Sequence, residues 1–188
     1  MDAHYINEVL NGNTNAFSYF IRTYQNKAFG VAIAIVKDKD NAKDIVQDSF
    51  ITAYSSLSNF RNEAKFSTWL YRIVVNKALL FVNREKRMDE VLLEYSLSNK
   101  DEATINNALV QMEKEELKKL ISRIFKKISP NEALILQLFY IDDLTITEIE
   151  AITAYTKSNI KVLLHRGRAS FYNKLMDQRT KEFHKNGD

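Results

Sequence analysis

The chain has 188 residues, 45% of them hydrophobic, with one proline, four glycines and no cysteine. That length accommodates one large domain or two small ones with their own cores, and the scarcity of helix breakers and of period-two alternation predicts long helices in place of sheets. Disulfides and thiolate metal sites are excluded, and the absence of a leader-like N-terminus or a long apolar window predicts a cytoplasmic protein without direct membrane insertion. The net charge of +3 hides an uneven layout. Residues 1–87 hold 12 Lys and Arg against 8 Asp and Glu, residues 88–116 hold 2 against 8, and residues 117–188 hold 13 against 8. A basic, acidic, basic sequence points to a polyanion met by both ends, with ordinary solvated helix faces as the plainer alternative.

From Asn15 to Val36, Phe17, Phe20, Ile21, Tyr24, Ala28, Val31 and Ile35 recur at helical spacing and predict one long amphipathic helix. KDKDNA is a polar break, in which Asp40 or Asn41 is expected to cap a second helix carrying Ile45, Val46, Phe50 and Tyr54. LSNFRNEAK reads as a loop and FSTWLYRIVVNKALLFVNREKR as a third long helix. Acid then accumulates and periodicity fades. The expected layout is therefore all-α: a helical domain over residues 1–87, an acidic linker over 88–112, and a second helical domain over 113–188. In that second domain SPNE predicts a capping box with Ser129 as N-cap, Pro130 at the first helical position and Glu132 as its partner. TITE predicts another box between Thr145 and Glu148.

Three surfaces carry candidate chemistry. A helix from Thr145 to Thr153, an AYT turn and a helix from Lys157 form a helix-turn-helix pattern, with Ile146, Ile149, Ile152 and Tyr155 packing on Ile160 and Leu164. Lys157, Ser158, Asn159, Lys161, Val162, His165, Arg166 and Arg168 are left for a major groove, short polar groups for base edges and cations for phosphates. A plain three-helix packing motif is the alternative, and His165 reads as a surface or phosphate-contacting residue because no partner ligands lie at metal spacing. Arg72, Asn76, Asn83 and Arg87 share a helical stripe beyond a loop of Asn59, Phe60, Arg61, Asn62 and Lys65. Such a loop suits an extruded base: stacking on an aromatic returns about 1–3 kcal/mol, against an extrusion cost of a few kcal/mol. Trp69 reads as core in preference to a stacking platform. Asp44 and Asp48 stand four residues apart with Gln47 between them; lacking an accompanying histidine, they suggest a charged surface for a protein partner or a solvated helix face.

These stretches resemble the extracytoplasmic function class of bacterial sigma-70-type sigma factors, over residues of about 15 to 87 and 115 to 176. DNAKDIVQDSF is similar to the family's core-binding helix, FSTWLYRIVVNKAL to its promoter-opening helix, and LTITEIEAI with TKSNIKVLLHRGRASF to its final helix-turn-helix. The resemblance implies that Asp44, Ile45, Gln47, Asp48 and Phe50 meet the clamp helices of the polymerase beta-prime subunit. It implies that Asn59, Phe60, Arg61, Asn62, Lys65, Arg72 and Asn76 hold the melted minus-ten element, and that residues 157–168 read the minus-thirty-five element as duplex. It further implies an acidic linker threading the polymerase RNA channel, an anti-sigma factor masking both DNA-binding units, no cofactor or metal, and no enzymatic activity. The chain departs from the family pattern at Leu80 and Asn83, at Ala154 where glycine is common, and at Leu163 where arginine is common. A stand-alone dimeric helix-turn-helix regulator and a helical protein–protein adaptor are the competing readings.

Overall fold

In a computed structural model, which describes residues 1–93 and 114–185, every regular element is helical. The chain opens with α1 (Asp2–Leu10), absent from the sequence expectation because Ile6 is its one buried side chain. Polar contacts fasten it: the Tyr19 and Tyr24 hydroxyls donate to the two Asp2 carboxylate oxygens at 2.9 and 2.6 Å. A 3₁₀ turn (Thr14–Phe17) leads into α2 (Ser18–Val36), which ends where the periodicity ends, with Lys37 in the left-handed conformation at φ 64°.

Helix α3 (Lys39–Ser55) begins earlier than expected. Its N-cap is Asp38, whose carboxylate accepts from the Asp40 and Asn41 amides at 3.0 and 2.9 Å, so neither Asp40 nor Asn41 is the cap. The reason is conformational: a cap needs extended backbone just before the first turn, and Asp38 has it, at φ −111° and ψ 136°. Helix α4 (Phe66–Leu93) continues past residue 87 into the stretch where acid accumulates. The acidic segment 94–112 lies outside the described residues.

The second half holds α5 (Lys114–Lys127), α6 (Pro130–Leu136), α7 (Ile146–Thr153) and α8 (Lys157–Lys185). Ser129 caps α6 by accepting from the Glu132 amide, which is one half of the expected box, whereas Thr145 and Glu148 form the full reciprocal box at α7. A π-helical turn, Gln137–Ile141, extends α6 and has no counterpart in the sequence reading. Ala154 closes α7 in the left-handed region at φ 58°, the position where the family often has glycine.

Helices α2, α3 and α4 pack on one another, and the second half docks on them, α6 against α2 and α7 against α4. The buried residues form one contiguous cluster, running from Phe20, Val31, Leu70 and Val74 to Leu134, Leu138, Ile149 and Ile160. Each fully buried aliphatic or Phe side chain contributes about 1.5–3 kcal/mol, so the apolar cluster dominates over any single polar contact. The small residues Ala28, Ala32 and Ala34 of α2 are all buried. Close approach is required at Gly30, where an added Cβ would stand 2.8 Å from Gln137 Nε2. Across the same junction the Lys37 ammonium donates to the Phe125 carbonyl at 2.7 Å, in the last turn of α5 where a cation is favoured. Burial lowers the Lys37 pKa to about 8.

Candidate nucleic-acid interface

The loop before α4 folds over an aromatic floor. Phe60 packs on Trp69 and on Phe66 with ring centroids 5.1 and 5.9 Å apart, and Phe66 packs at a tilt on Phe20 of the core at 4.2 Å. Asn62 makes the turn at φ 56°, a left-handed conformation that asparagine tolerates better than most residues. Asn59, Arg61, Asn62 and Lys65 are exposed and Phe60 is half-buried. Trp69 is half-buried too: it packs against the core and also lines a cavity of about 320 Å³. Asn59, Phe60, Arg61, Glu63, Ala64, Thr68, Arg72 and, from the other half of the chain, Ala151 complete the lining, so one carboxylate accompanies its two guanidinium groups.

Along α4 the expected stripe is present. Arg72, Asn76 and Asn83 are exposed while Tyr71, Val74, Val75 and Ala78 are buried, and Leu80, 69% exposed, interrupts the polar face. The Arg87 side chain lies outside the described residues.

In the helix-turn-helix, Ile149, Ile152, Ile160 and Leu164 form the packing face and Ile146 and Tyr155 flank it half-buried. Thr156 accepts from the Asn159 amide at 3.3 Å and so caps the start of α8. Lys157, Ser158, Asn159, Lys161, Val162, His165 and Arg166 are all exposed. Arg168 is exposed as well; its Nε also donates to the Leu164 carbonyl at 3.1 Å, and the side chain lines an apolar groove with Phe125, Tyr140, Phe171 and Tyr172. Gly167 is buried because Leu136 Cγ stands only 3.1 Å from where its Cβ would be.

On α3, Asp44, Gln47 and Asp48 are exposed, whereas Ile45 and Phe50 turn inward, at 7% and 6% exposure. Sequence reasoning missed what lies beside them. A groove of about 640 Å³ runs between α2 and α3, lined by Ile21, Phe29, Gln47, Ile51 and Tyr54, with Ile51 58% exposed. Its signal was legible: Ile51 is an apolar residue on the polar side of the helical pattern.

Two carboxylates of α7 tie these surfaces together. Glu148 accepts from the Lys65 ammonium at 2.7 Å, across 83 residues of sequence. That ammonium, with the Thr145 amide and hydroxyl, lowers the Glu148 pKa to about 2. Glu150 on the other side of the helix accepts from the Lys157 amide at 3.3 Å and lies 3.8 Å from its ammonium. Beneath them Asp142, 6% exposed, accepts from Gln137 Nε2 at 3.3 Å. Burial raises its pKa to about 6, opposed by the Gln137 hydrogen bond and by Lys27. Among the described residues no group of three His, Cys, Asp or Glu side chains converges as a metal site would, and no helix is long and apolar enough to cross a membrane.

Comparison with known proteins identifies a family. Residues 20–88 match the family model of sigma-70 region 2. The ECF RNA polymerase sigma factor SigW of Bacillus subtilis is 29% identical over 181 residues, covering 92% of this chain and 95% of its own. The ECF RNA polymerase sigma-E factor of Salmonella typhimurium is 30% identical over 176 residues, covering 90% and 92%. Among solved structures, the sigma factor RpoE in complex with the anti-sigma factor NepR from Bartonella quintana shares the fold, with a TM-score of 0.64 over 85% of this chain and 96% of that one at 19% identity.

Proposed function

This chain belongs to the extracytoplasmic function (ECF) RNA polymerase sigma factors, and from that premise we propose how its surfaces divide the work of an alternative sigma factor. Residues 1–87 form the unit that holds core polymerase and the minus-ten element, and residues 113–188 the unit that reads the minus-thirty-five element. Asp44, Gln47 and Asp48, with the groove beside them, meet the beta-prime clamp helices, while Ile45 and Phe50 hold that helix face rigid from below. Asn59, Phe60, Arg61, Asn62 and Lys65 take the opened minus-ten strand, with Arg72 and Asn76 continuing its path along α4. Lys157, Ser158, Asn159, Lys161, Val162, His165 and Arg166 enter the major groove. The protein acts in the cytoplasm as an initiation factor and has no chemistry of its own, and an anti-sigma factor restrains it.

The single observation that carries this reading is that Arg72 belongs to both the cavity and the stripe. An aromatic-floored pocket has Arg61, Glu63 and Arg72 in its lining, and Asn76 stands exposed one helical turn beyond Arg72, which suits a strand whose base has left the stack. Run-off transcription with bacterial core polymerase and a library of promoter fragments tests it. Asn76→Ala is expected to impair opening while still binding core polymerase, and loss of core binding by that variant would refute the assignment. Lys161→Ala and Arg166→Ala are expected to weaken minus-thirty-five recognition; unchanged transcription from both would remove α8 from the proposal.

A further inference from the structure

We propose that Leu80 is a specificity-determining residue, whose side chain packs on the 5-methyl group of a thymine in the promoter stretch that α4 follows. The proposal rests on the assignment of Arg72 and Asn76 to promoter DNA and concerns a residue which that assignment leaves out. Leu80 is 69% exposed, more than any other large apolar side chain among the described residues after Met1. It is also one of the positions at which the chain departs from the family pattern, so its contact belongs to this chain.

A lone exposed leucine is ordinary on a protein surface, and Leu80 is distinguished by its company. One helical turn before it stand Asn76, exposed, and Lys77, half-buried; one turn after it stand Asn83 and Arg84, both exposed. Two amides and two cations therefore surround one isobutyl group. Helix propensity does not account for it, since Lys, Gln or Glu would serve α4 nearly as well. Nor does the setting suit an apolar protein contact, which needs a contiguous patch. Ile51, the comparable residue of α3, has such a patch: it stands in a groove with Ile21, Phe29 and Tyr54.

DNA offers the complement. Asparagine amides pair with adenine edges, cations meet phosphates, and the thymine methyl is the one apolar group that a base pair presents in the major groove. A series of amide, leucine and amide thus matches a run of A·T pairs in which one thymine methyl meets Leu80. The helix bounds its place. Leu80 stands eight residues beyond Arg72 of the cavity lining, about 12 Å along the axis. That distance spans at most about four nucleotides, at roughly 3.4 Å each.

Run-off transcription from the promoter library with core polymerase, followed by sequencing of the active fragments, tests the proposal. For the wild-type chain the library should enrich a thymine within about four nucleotides of the position whose base preference changes in Phe60→Ala. Replacing that thymine by uracil removes only the methyl group, and initiation should fall about three- to fivefold, the order expected for one buried methyl. Leu80→Ala should lose the enrichment and become indifferent to uracil there. Leu80→Asp should turn the preference towards cytosine, from whose N4 amino group a carboxylate accepts. The absence of such a thymine, or a uracil penalty that Leu80→Ala retains, would overturn the proposal. Asn76→Ala separates the two levels of the reading. If it opens promoters normally, the assignment of α4 fails and the role of Leu80 fails with it; if it is defective while the wild type tolerates uracil at every position, the leucine contact alone is refuted.

Discussion

The recognition helix and the minus-ten loop are both basic and both largely exposed, yet they are presented in opposite ways. From Lys157 to Arg166 the groove-facing side chains are exposed, and what they lean on belongs to their own half: the buried Ile160, Ile149 and Ile152 beneath them, and Glu150 as the counter-ion of Lys157. The loop from Asn59 to Lys65 has a floor from the first half but a wall and a counter-ion from the second, in Ala151 and Glu148. Solvent exposure is therefore not the same as availability. The recognition surface depends on packing within its own unit, whereas the state of the loop depends on how the two halves sit together.

The largest expected effect comes from the residue that serves both. Ile149 is fully buried at the centre of α7, and Ile149→Ala is expected to cost about 2–5 kcal/mol. Because the buried cluster is contiguous, calorimetry should show one cooperative transition shifted as a whole. Two separate transitions, with only one of them moved, would break the comparison by showing that the halves do not share a core. Gly30→Ala aims at the junction alone. Its new Cβ must displace the Gln137 amide and so its hydrogen bond to Asp142, for about 1–3 kcal/mol of overpacking. Crosslinking of Ala64→Cys to Ala151→Cys across the cavity should fall while duplex binding by the recognition helix is kept; loss of both would show that the two surfaces are not independent.

Much of this architecture could be read from the residues. Spacings of three and four located α2 and α4, and Ser129, Thr145 and the AYT turn fixed the short helices of the second half because caps are local chemistry. The polar stripe of Arg72, Asn76 and Asn83 was legible for the same reason: helical period alone decides which side chains share a face. What escaped was long-range. Helix α1 is fastened through Asp2 to two tyrosine hydroxyls, a contact that no periodicity announces. Ile45 and Phe50 belong to a family motif, and only packing could show that they face inward while Gln47 faces out. Arg168 follows the basic pattern of α8 and is exposed, but the bond from its Nε back to the Leu164 carbonyl is a contact that no charge pattern announces. The small residues of α2 mark a face built for close approach without naming the Gln137 that arrives there.

A smaller effect, on the order of 1–2 kcal/mol, is expected from pH. Asp142 is held above its ordinary carboxylate range by burial, and the groups around it are Gln137 from its own turn, Lys27 from α2 and Tyr71 from α4. Its neutral form is the one that the packed halves favour. The stabilisation is thus complete below the ordinary pKa of 3.8 and lost as pH rises through about 6. The melting temperature should increase on going from about pH 7 to about pH 5, a window in which Glu148 stays ionised and Lys37 stays largely charged. Asp142→Asn should flatten that slope and raise stability at neutral pH; a slope that survives the substitution would place its origin elsewhere.

The smallest effect separates the two surfaces most sharply. Glu148→Gln keeps a side chain that can complete the capping box but removes the charge facing Lys65, and Glu150→Gln does the same for Lys157. Ion pairs this exposed shift an equilibrium by no more than about fivefold, and salt screens them further. The first variant should nevertheless raise the free chain's affinity for a single-stranded minus-ten oligonucleotide, measured by fluorescence anisotropy at low salt, because the competitor for Lys65 is gone. The second should leave that affinity unchanged and act only on duplex binding, since the cation that Glu150 faces belongs to the recognition helix. If Glu150→Gln freed the loop as effectively as Glu148→Gln, bulk charge would explain both effects, and the contrast between a covered loop and an open helix would lose its structural basis.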